Sequence, residues 1–259
     1  MFRRFFRYLF VAKDEHSLHS PFVFKLYTQV ICPKKVNQSP VFQQIEELRT
    51  ELLADRSEIE VLDFGAGSRV NNSPKRQIRH IAKNAEKPRR FARLLYRLVQ
   101  HFQPKYILDL GTSLGMTTAY LSAAEPSARV VSFEGCPETA RIARQNFEQL
   151  HCHTIEVVVG NLDETLPRRV EQLPAIDFAF FDANHRYEPT VSYFETCLTK
   201  AHEDSVFVFD DIHWSDQMEQ AWHYIQAHPK VTVTIDLFFV GLVFFRTKQP
   251  KQHFVLKYF

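Results

Sequence analysis

The chain has 259 residues, of which 45% are hydrophobic, so it is long enough for a complete α/β core with one added module. Its net charge of +2 conceals an asymmetry: residues 1–105 hold 20 basic and 10 acidic side chains, whereas residues 106–259 hold 12 and 20. The four cysteines show no C-x-x-C spacing, and no apolar run approaches the roughly 20 residues of a membrane-spanning helix. We therefore expect a cytoplasmic protein with reduced thiols and no transmembrane segment.

The first predicted element is a short amphipathic helix. Within Phe2–Phe10, the phenylalanines and Leu9 share one helical face, and the arginines lie on the opposite face. This pattern fits weak contact with a membrane interface, and it also fits docking on the protein's own core or on a second subunit, as in a homodimer. Docking is the preferred interpretation, because a single short helix binds bilayers weakly.

Further helices are predicted before residue 105. Pro21 marks a turn or a helix start, and Ser39–Pro40 has the pattern of an N-cap with proline at the first position of a helix that reaches about Ala54. Arg89–Phe102 has the apolar spacing of a core-facing helix. The tract Arg69–Arg97 holds ten basic residues against one acid. It is either a solvated helix face or a site for an anionic substrate or surface.

From Tyr106 onward, apolar strands alternate with helical stretches, which predicts a doubly wound α/β sheet. The last two predicted strands, Val231–Phe239 and Val240–Arg246, form a hairpin. A short extension is expected at Phe254–Phe259.

A glycine pair follows the first strand of this region. Only seven glycines occur in the chain, and both Gly111 and Gly115 fall in the turn between this strand and the next helix. Such a turn lets the backbone approach a ligand and directs helix N–H groups at it. The next strand ends in Glu134, which is suited to bind the two hydroxyls of a ribose. These features predict a nucleoside cofactor.

The G-x-G-x-x-G fingerprint of dinucleotide sites is not met, since Ser113 replaces its second glycine. Glu60–Gly67 imitates the turn, but no acid-tipped strand follows it, so a second cofactor site is rejected there.

The glycine turn resembles the first motif of the class I S-adenosylmethionine-dependent methyltransferases, in which an acidic residue precedes G-x-x-x-G. Later elements of that family are matched in order by Glu134, by Gly160–Leu162, and by the apolar strands Ala175–Asp182 and Ser205–Asp211. The resembling stretch covers roughly residues 105–246.

The resemblance implies a Rossmann-like, seven-stranded sheet with strand order 3-2-1-4-5-7-6. The S-adenosylmethionine-binding domain would span residues 105–259, after a mainly helical cap module in residues 1–104. The implied cofactor-binding residues are Asp109 and Thr117 beside the ammonium and carboxylate, Gly111, Ser113 and Gly115 around the methionine portion, Glu134 at the ribose, Asn161 at the adenine, and Asp182 at the methionine end.

Three carboxylates end the fourth and fifth predicted strands: Asp182, Asp210 and Asp211. Neighbouring parallel strands end at the same crevice, and hard oxygen ligands suit Mg²⁺. Capping of the following helices or positioning of the cofactor are the alternatives. The set resembles the metal site of the catechol- and caffeoyl-CoA-type O-methyltransferases. The last pair is usually Asp-Asn in that family, whereas this chain has Asp-Asp.

His185 stands three residues after Asp182, where the same family has a lysine base. A histidine whose pKa is near 6.5 can accept a proton at neutral pH, so His185 is the candidate catalytic base. The alternatives for His185 are a metal ligand, a hydrogen-bond donor to the ligands, or a loop histidine whose hydrogen bonds are satisfied within the protein. His213 and Trp214 are weaker candidates for the same pocket.

The leading interpretation is an S-adenosylmethionine-dependent enzyme that methylates the hydroxyl of a small acceptor with the assistance of Mg²⁺. Methyl transfer is an in-line displacement, so the acceptor must be aligned and deprotonated. One alternative is an RNA methyltransferase that uses the basic tract, although no RNA-binding module is recognised. Another is a non-catalytic cofactor-binding protein that acts through Phe2–Phe10. No acceptor motif is recognised in the first hundred residues.

Overall fold

A computed structural model describes residues 1–35, 39–62, 75–85 and 87–258. Most of Glu60–Gly67 and the beginning of the tract Arg69–Arg97 lie outside these residues, so the interpretations of both segments remain predictions. The chain forms two compact units. The central unit consists of Val36–Arg168, and the terminal unit combines Met1–Lys35 with Arg169–Phe259. The division into residues 1–104 and 105–259 also remains a prediction.

The described residues contain ten α-helices and ten strands. The helices are α1 (Phe2–Val11), α2 (Pro21–Leu26), α3 (Pro40–Ala54), α4 (Ile78–Ala85), α5 (Arg89–Phe102), α6 (Met116–Ala124), α7 (Pro137–Gln149), α8 (Leu162–Glu171), α9 (Tyr187–Leu198) and α10 (Asp216–Ala227). The strands are β1 (Glu58–Glu60), β2 (Lys75–Gln77), β3 (Tyr106–Leu110), β4 (Arg129–Glu134), β5 (Ile155–Val159), β6 (Phe178–Phe181), β7 (Val206–Asp210), β8 (Val233–Asp236), β9 (Val240–Phe244) and β10 (Gln252–Val255).

The central unit is built on three parallel strands in the order β3-β4-β5. Leu108 lies opposite Val131, which lies opposite Glu156. The inner positions of β3 and β4 are fully buried, as expected for parallel strands whose connecting helices cover both faces. This arrangement is the 3-2-1 half of the predicted strand order. A separate antiparallel pair is formed by β1 and β2.

Helices α3 and α5 pack through the apolar stripes that the sequence predicted. The buried side chains include Phe42, Ile45, Leu48 and Leu52 of α3 and Leu94, Leu95, Leu98 and Val99 of α5. Phe42 meets Tyr96 of α5 edge to face, with 4.8 Å between ring centroids, and lies 5.6 Å from the ring of Tyr120 in α6. Pro40 begins α3 as predicted, but the hydroxyl of Ser39 makes no capping hydrogen bond.

The terminal unit holds five strands in the order β6-β7-β9-β8-β10. Strands β6 and β7 are parallel, and β9 lies antiparallel between β7 and β8, which confirms the hairpin and the 4-5-7-6 half of the predicted order. Strand β10 pairs in parallel with β8, so the predicted count of seven strands is one too few. Because β10 lies at the sheet edge with Gln252 and His253 exposed, its hydrophobic signal is weak.

Helix α1 docks on the terminal unit through one of its faces. Tyr8 is buried, and Phe5 meets Phe238 edge to face at 4.9 Å between ring centroids. Nε of Arg4 lies 3.0 Å from a carboxylate oxygen of Glu219 in α10. Docking on the chain's own core is therefore confirmed for this face, while most of the predicted apolar stripe is exposed to solvent.

Gly241 of β9 lies directly under the indole ring of Trp222. A Cβ atom at this position would lie 2.6 Å from Cη2 of Trp222 and 3.1 Å from Cγ2 of Ile212. Trp222 is buried and has little room to move, and overpacking of this kind typically costs about 1–3 kcal/mol. We expect Gly241→Ala to lower the free energy of unfolding by about this amount in urea denaturation.

The matched control removes the ring atoms that cause the clash. Trp222→Phe creates a cavity and is destabilising alone, but it also makes room for the added methyl group. The double variant should therefore lose less stability than the sum of the two single variants. Additive losses would contradict the proposed contact.

Candidate active site

The turn between β3 and α6 has an unusual backbone. Gly111, Ser113 and Gly115 all have positive φ, at 120°, 50° and 85°. The amide of Gly111 donates to the carbonyl of Phe133 on β4, which holds the turn against the neighbouring strand. A Cβ atom on Gly115 would lie 2.5 Å from the ring of Phe147, so both the backbone and the packing require glycine there.

The carboxylate of Glu134 lies beside this turn. Its Oε2 accepts from the amide of Ser113 at 2.8 Å, and its Oε1 accepts from the amide of Cys136 at 2.9 Å. The two bonds fix the carboxylate between the glycine turn and the start of α7. A carboxylate has several acceptor positions, so ribose hydroxyls could donate to it beside these amides. The geometry is compatible with the ribose-binding role, which remains a prediction.

Asp109 belongs to a buried hydroxyl network that the sequence did not predict. It is fully buried, and its Oδ2 accepts from the hydroxyls of Thr118 at 2.5 Å and Ser132 at 2.8 Å. The hydroxyl of Ser132 lies 2.5 Å from that of Thr112 in the glycine turn. The network links β3, β4, α6 and the turn. Thr117 is buried in the first turn of α6, and the assignment of Asp109 and Thr117 to the methionine end remains a prediction.

The segment after β5 begins helix α8. The amide of Gly160 donates to the carbonyl of Glu134 at 3.0 Å, which places this segment beside the end of β4. Oδ1 of Asn161 accepts from the amide of Asp163 at 3.1 Å, so its side chain satisfies a helix N–H group. Adenine binding by Asn161 remains a prediction.

In the terminal unit, three side chains meet at the ends of β6 and β7. Ligand atoms of Asp182, His185 and Asp210 all lie within 4.8 Å of one another, and this is the one such cluster among the described residues. Asp182 directly follows β6, and Asp210 is the last residue of β7. The structure therefore brings together two of the predicted metal ligands and the predicted base. Asp211, the third predicted ligand, follows in the chain and is half-buried.

The loops that carry this cluster adopt uncommon backbone conformations. The φ values of Asn184, His185 and Asp211 are 67°, 44° and 54°, in the left-handed region that residues other than glycine seldom adopt. Asn184 accepts from Nε of Arg186 at 2.7 Å and donates to the hydroxyl of Tyr193 at 3.3 Å. Such conformations concentrate at functional sites, where the surrounding structure holds them.

The acidic surroundings change the protonation of His185. Its Nε2 lies 3.5 Å from Oδ1 of Asp182. Burial lowers the pKa of His185, but the hydrogen bond and charge of Asp182, together with the charges of Asp210 and Asp211, outweigh burial and raise this pKa above its ordinary value. The carboxylates therefore attract positive charge to this point.

A divalent cation fits the chemistry of this donor set. Carboxylate oxygens are the hard ligands that Mg²⁺ and Mn²⁺ prefer, and an imidazole beside them also suits transition metals such as Zn²⁺ and Fe²⁺. Asp182, His185 and Asp210 can each offer one ligand atom. A cation would also reduce the repulsion between the carboxylates.

His213, the weaker candidate, has a different environment. Its Nε2 lies 2.7 Å from Asp236, its Nδ1 lies 3.0 Å from Glu219, and its ring stacks on Phe238. Burial lowers the pKa of His213, but the hydrogen bonds and charges of the two carboxylates raise it overall. With both nitrogens engaged, His213 serves as a structural link. Trp214 is exposed.

Comparison with protein families gives a match over residues 108–212, which correspond to a family described as a methyltransferase domain. A catechol O-methyltransferase of Mycobacterium tuberculosis is 33% identical over 112 residues, which are 42% of this chain and 49% of that protein. A catechol O-methyltransferase of Niastella koreensis is 28% identical over 46% of this chain and 55% of its own length. The chain thus spans about half the length of the curated relatives it matches.

Solved structures show the same fold at low sequence identity. The O-methyltransferase from Bacillus cereus in complex with SAH has a TM-score of 0.57 at 19% identity, covering 86% of this chain and 97% of that chain. An SAH-bound methyltransferase of Podospora anserina has a TM-score of 0.60 at 13% identity, covering 88% and 97%. The fold and the glycine turn agree with the family match, so residues 108–212 resemble a methyltransferase domain within a fold shared with SAH-bound methyltransferases.

Proposed function

We propose that this protein transfers the methyl group of S-adenosylmethionine to a hydroxyl of a small acceptor with the assistance of a divalent cation, Mg²⁺ in the first instance. The observation that carries the proposal is the cluster of Asp182, His185 and Asp210 at the ends of β6 and β7. Its carboxylate oxygens suit a hard cation, and its imidazole can accept a proton. The similarity to proteins named catechol O-methyltransferase supports a phenolic or vicinal-diol acceptor.

In the proposed reaction, the acceptor oxygen would bond to the sulfonium methyl group while the carbon–sulfur bond breaks to leave S-adenosylhomocysteine, and His185 would take up the proton of the hydroxyl. The glycine turn and Glu134 bind the nucleoside part of the cofactor. Asp182 and Asp210 of the cluster, together with the predicted ligand Asp211, would hold the cation, which would lower the pKa of the acceptor hydroxyl. The side chains of this chain thus bind, orient and deprotonate the reactants. A cytoplasmic location, where cysteines stay reduced, is part of this proposal.

Cofactor binding is testable without an acceptor. S-adenosylhomocysteine at 100 times its Kd should stabilise the folded protein by about 2.7 kcal/mol, seen as a concentration-dependent rise in Tm. Glu134→Gln removes the charge that accepts the ribose hydroxyls, and hydrogen bonds to charged groups contribute about 1.5–3 kcal/mol. The affinity of this variant should fall about tenfold or more in calorimetry.

Glu138→Gln is the matched control, because Glu138 lies at the surface of α7, 3.1 Å from Arg141, and is not part of the glycine turn. Its affinity for S-adenosylhomocysteine should equal that of the wild type. A Tm increase with NAD but not with S-adenosylhomocysteine would refute the proposal.

The cation site is tested by calorimetric titration with Mg²⁺ and Mn²⁺. Asp182→Asn and Asp210→Asn should each weaken binding by at least about tenfold, because each removes a charged ligand. Asp177→Asn is the control, since Asp177 bonds to His202 at 2.8 Å outside the cluster. Full methyltransferase activity in EDTA would exclude cation assistance.

The base is tested with labelled cofactor and a panel of catechols, other phenols and sugars. His185→Gln should lower kcat about 10²- to 10⁴-fold, the usual contribution of general base catalysis, with unchanged affinity for S-adenosylhomocysteine. His202→Gln alters another histidine–aspartate pair of the same unit and should leave kcat unchanged. If the His185→Gln variant keeps the wild-type kcat, His185 is not the catalytic base.

A further inference from the structure

Helix α1 exposes an apolar surface that the docked face does not use. Phe2, Phe6 and Phe10 are 84%, 59% and 88% exposed, and Leu9 beside them is 36% exposed. At about 100° per residue, these four side chains occupy an arc of about 100° on the solvent side of the helix. We call this arc the outer face of α1. Contiguous exposed apolar surface of this kind marks an interaction site.

The outer face is held toward solvent by the contacts of the opposite face. Arg4 pairs with Asp216 and Glu219, Phe5 packs on Phe238, and the hydroxyl of Tyr8 donates to the carbonyl of Leu256. After the helix, the amide of Lys13 donates to the carbonyl of Val255 at 2.9 Å, at the edge of β10. Rotating the phenylalanines inward would break all of these contacts.

The charges beside the outer face favour one kind of partner. Arg3 and Arg7 are exposed next to the phenylalanine arc, and Phe2–Val11 contains no acidic residue. In a symmetric contact between the outer faces of two copies, the arginines would find no acidic partner on the other α1, because this helix contains none. Anionic headgroups at the same level would instead pair with both arginines while the rings enter the acyl boundary.

We propose that the outer face of α1 binds the interface of an anionic lipid bilayer, with the helix lying in the membrane plane. The ten-residue helix is about 15 Å long. In the part of the chain that the structure describes, no helix has the length and apolar character needed to cross a membrane. Attachment of the protein to a membrane surface is independent of methyl transfer.

The experiment measures co-sedimentation of the full chain with extruded vesicles of phosphatidylcholine, alone or mixed with phosphatidylglycerol. The wild type should bind the mixed vesicles more tightly than the neutral ones. Arg3→Gln with Arg7→Gln should weaken binding to the mixed vesicles about 25-fold, since each cation near an anionic surface contributes about fivefold. Phe6→Gln with Phe10→Gln should reduce binding to both vesicle types by at least about tenfold.

The matched control is Leu53→Gln with Leu62→Gln, which changes two other exposed apolar residues and should bind like the wild type. All variants should keep their thermal response to S-adenosylhomocysteine, so failure of membrane binding is distinguishable from failure of the proposed function. Wild-type binding by the phenylalanine variant would overturn the proposal. The proposal would also be overturned if the wild type did not bind vesicles but formed a dimer that the phenylalanine substitutions dissociate.

Discussion

The structure depends on how it compensates carboxylates at the ends of buried strands. A charged group in this position is costly unless donors or cations face it. Asp109 receives two hydroxyl hydrogen bonds, and Glu134 receives two backbone amides. At the ends of β6 and β7, Asp182 and Asp210 lie close to the imidazole of His185, whose pKa they raise. The first two are built into the fold, whereas the third group attracts a cation or a proton.

Much of this fold follows from local sequence signals. Continuous apolar runs bounded by helical periodicity indicate parallel strands, and they predicted β3 to β7 and the terminal hairpin correctly. The glycine turn was recognisable because glycine is rare in this chain. The structure explains why glycine is required at Gly115: its φ is positive, and a Cβ atom there would meet the ring of Phe147. Strand β10 was underestimated, since an edge strand with Gln252 and His253 lacks an apolar pattern.

The site was predictable as a set of residues but not as a geometry. The sequence placed Asp182, Asp210 and His185 near the same strand ends, but the left-handed backbone of His185 and Asp211 depends on surrounding contacts. The hydroxyls around Asp109 also escaped prediction, because Thr118 and Ser132 lie on different elements and meet only in the folded chain. A buried acid in an apolar strand signals that such partners must exist, without identifying them.

The segment after β7 and helix α1 share their anchoring residues. Nη1 of Arg4 donates to the carbonyl of His213 at 3.5 Å, and Glu219 contacts both Arg4 and the ring of His213. His213 in turn bonds to Asp236 on β8. The contacts that hold the phenylalanines of α1 outward therefore also fix the chain two residues beyond Asp211. Because these bonds lie on the docked face, a surface that binds the outer face leaves them intact, and attachment does not require the carboxylate cluster to rearrange.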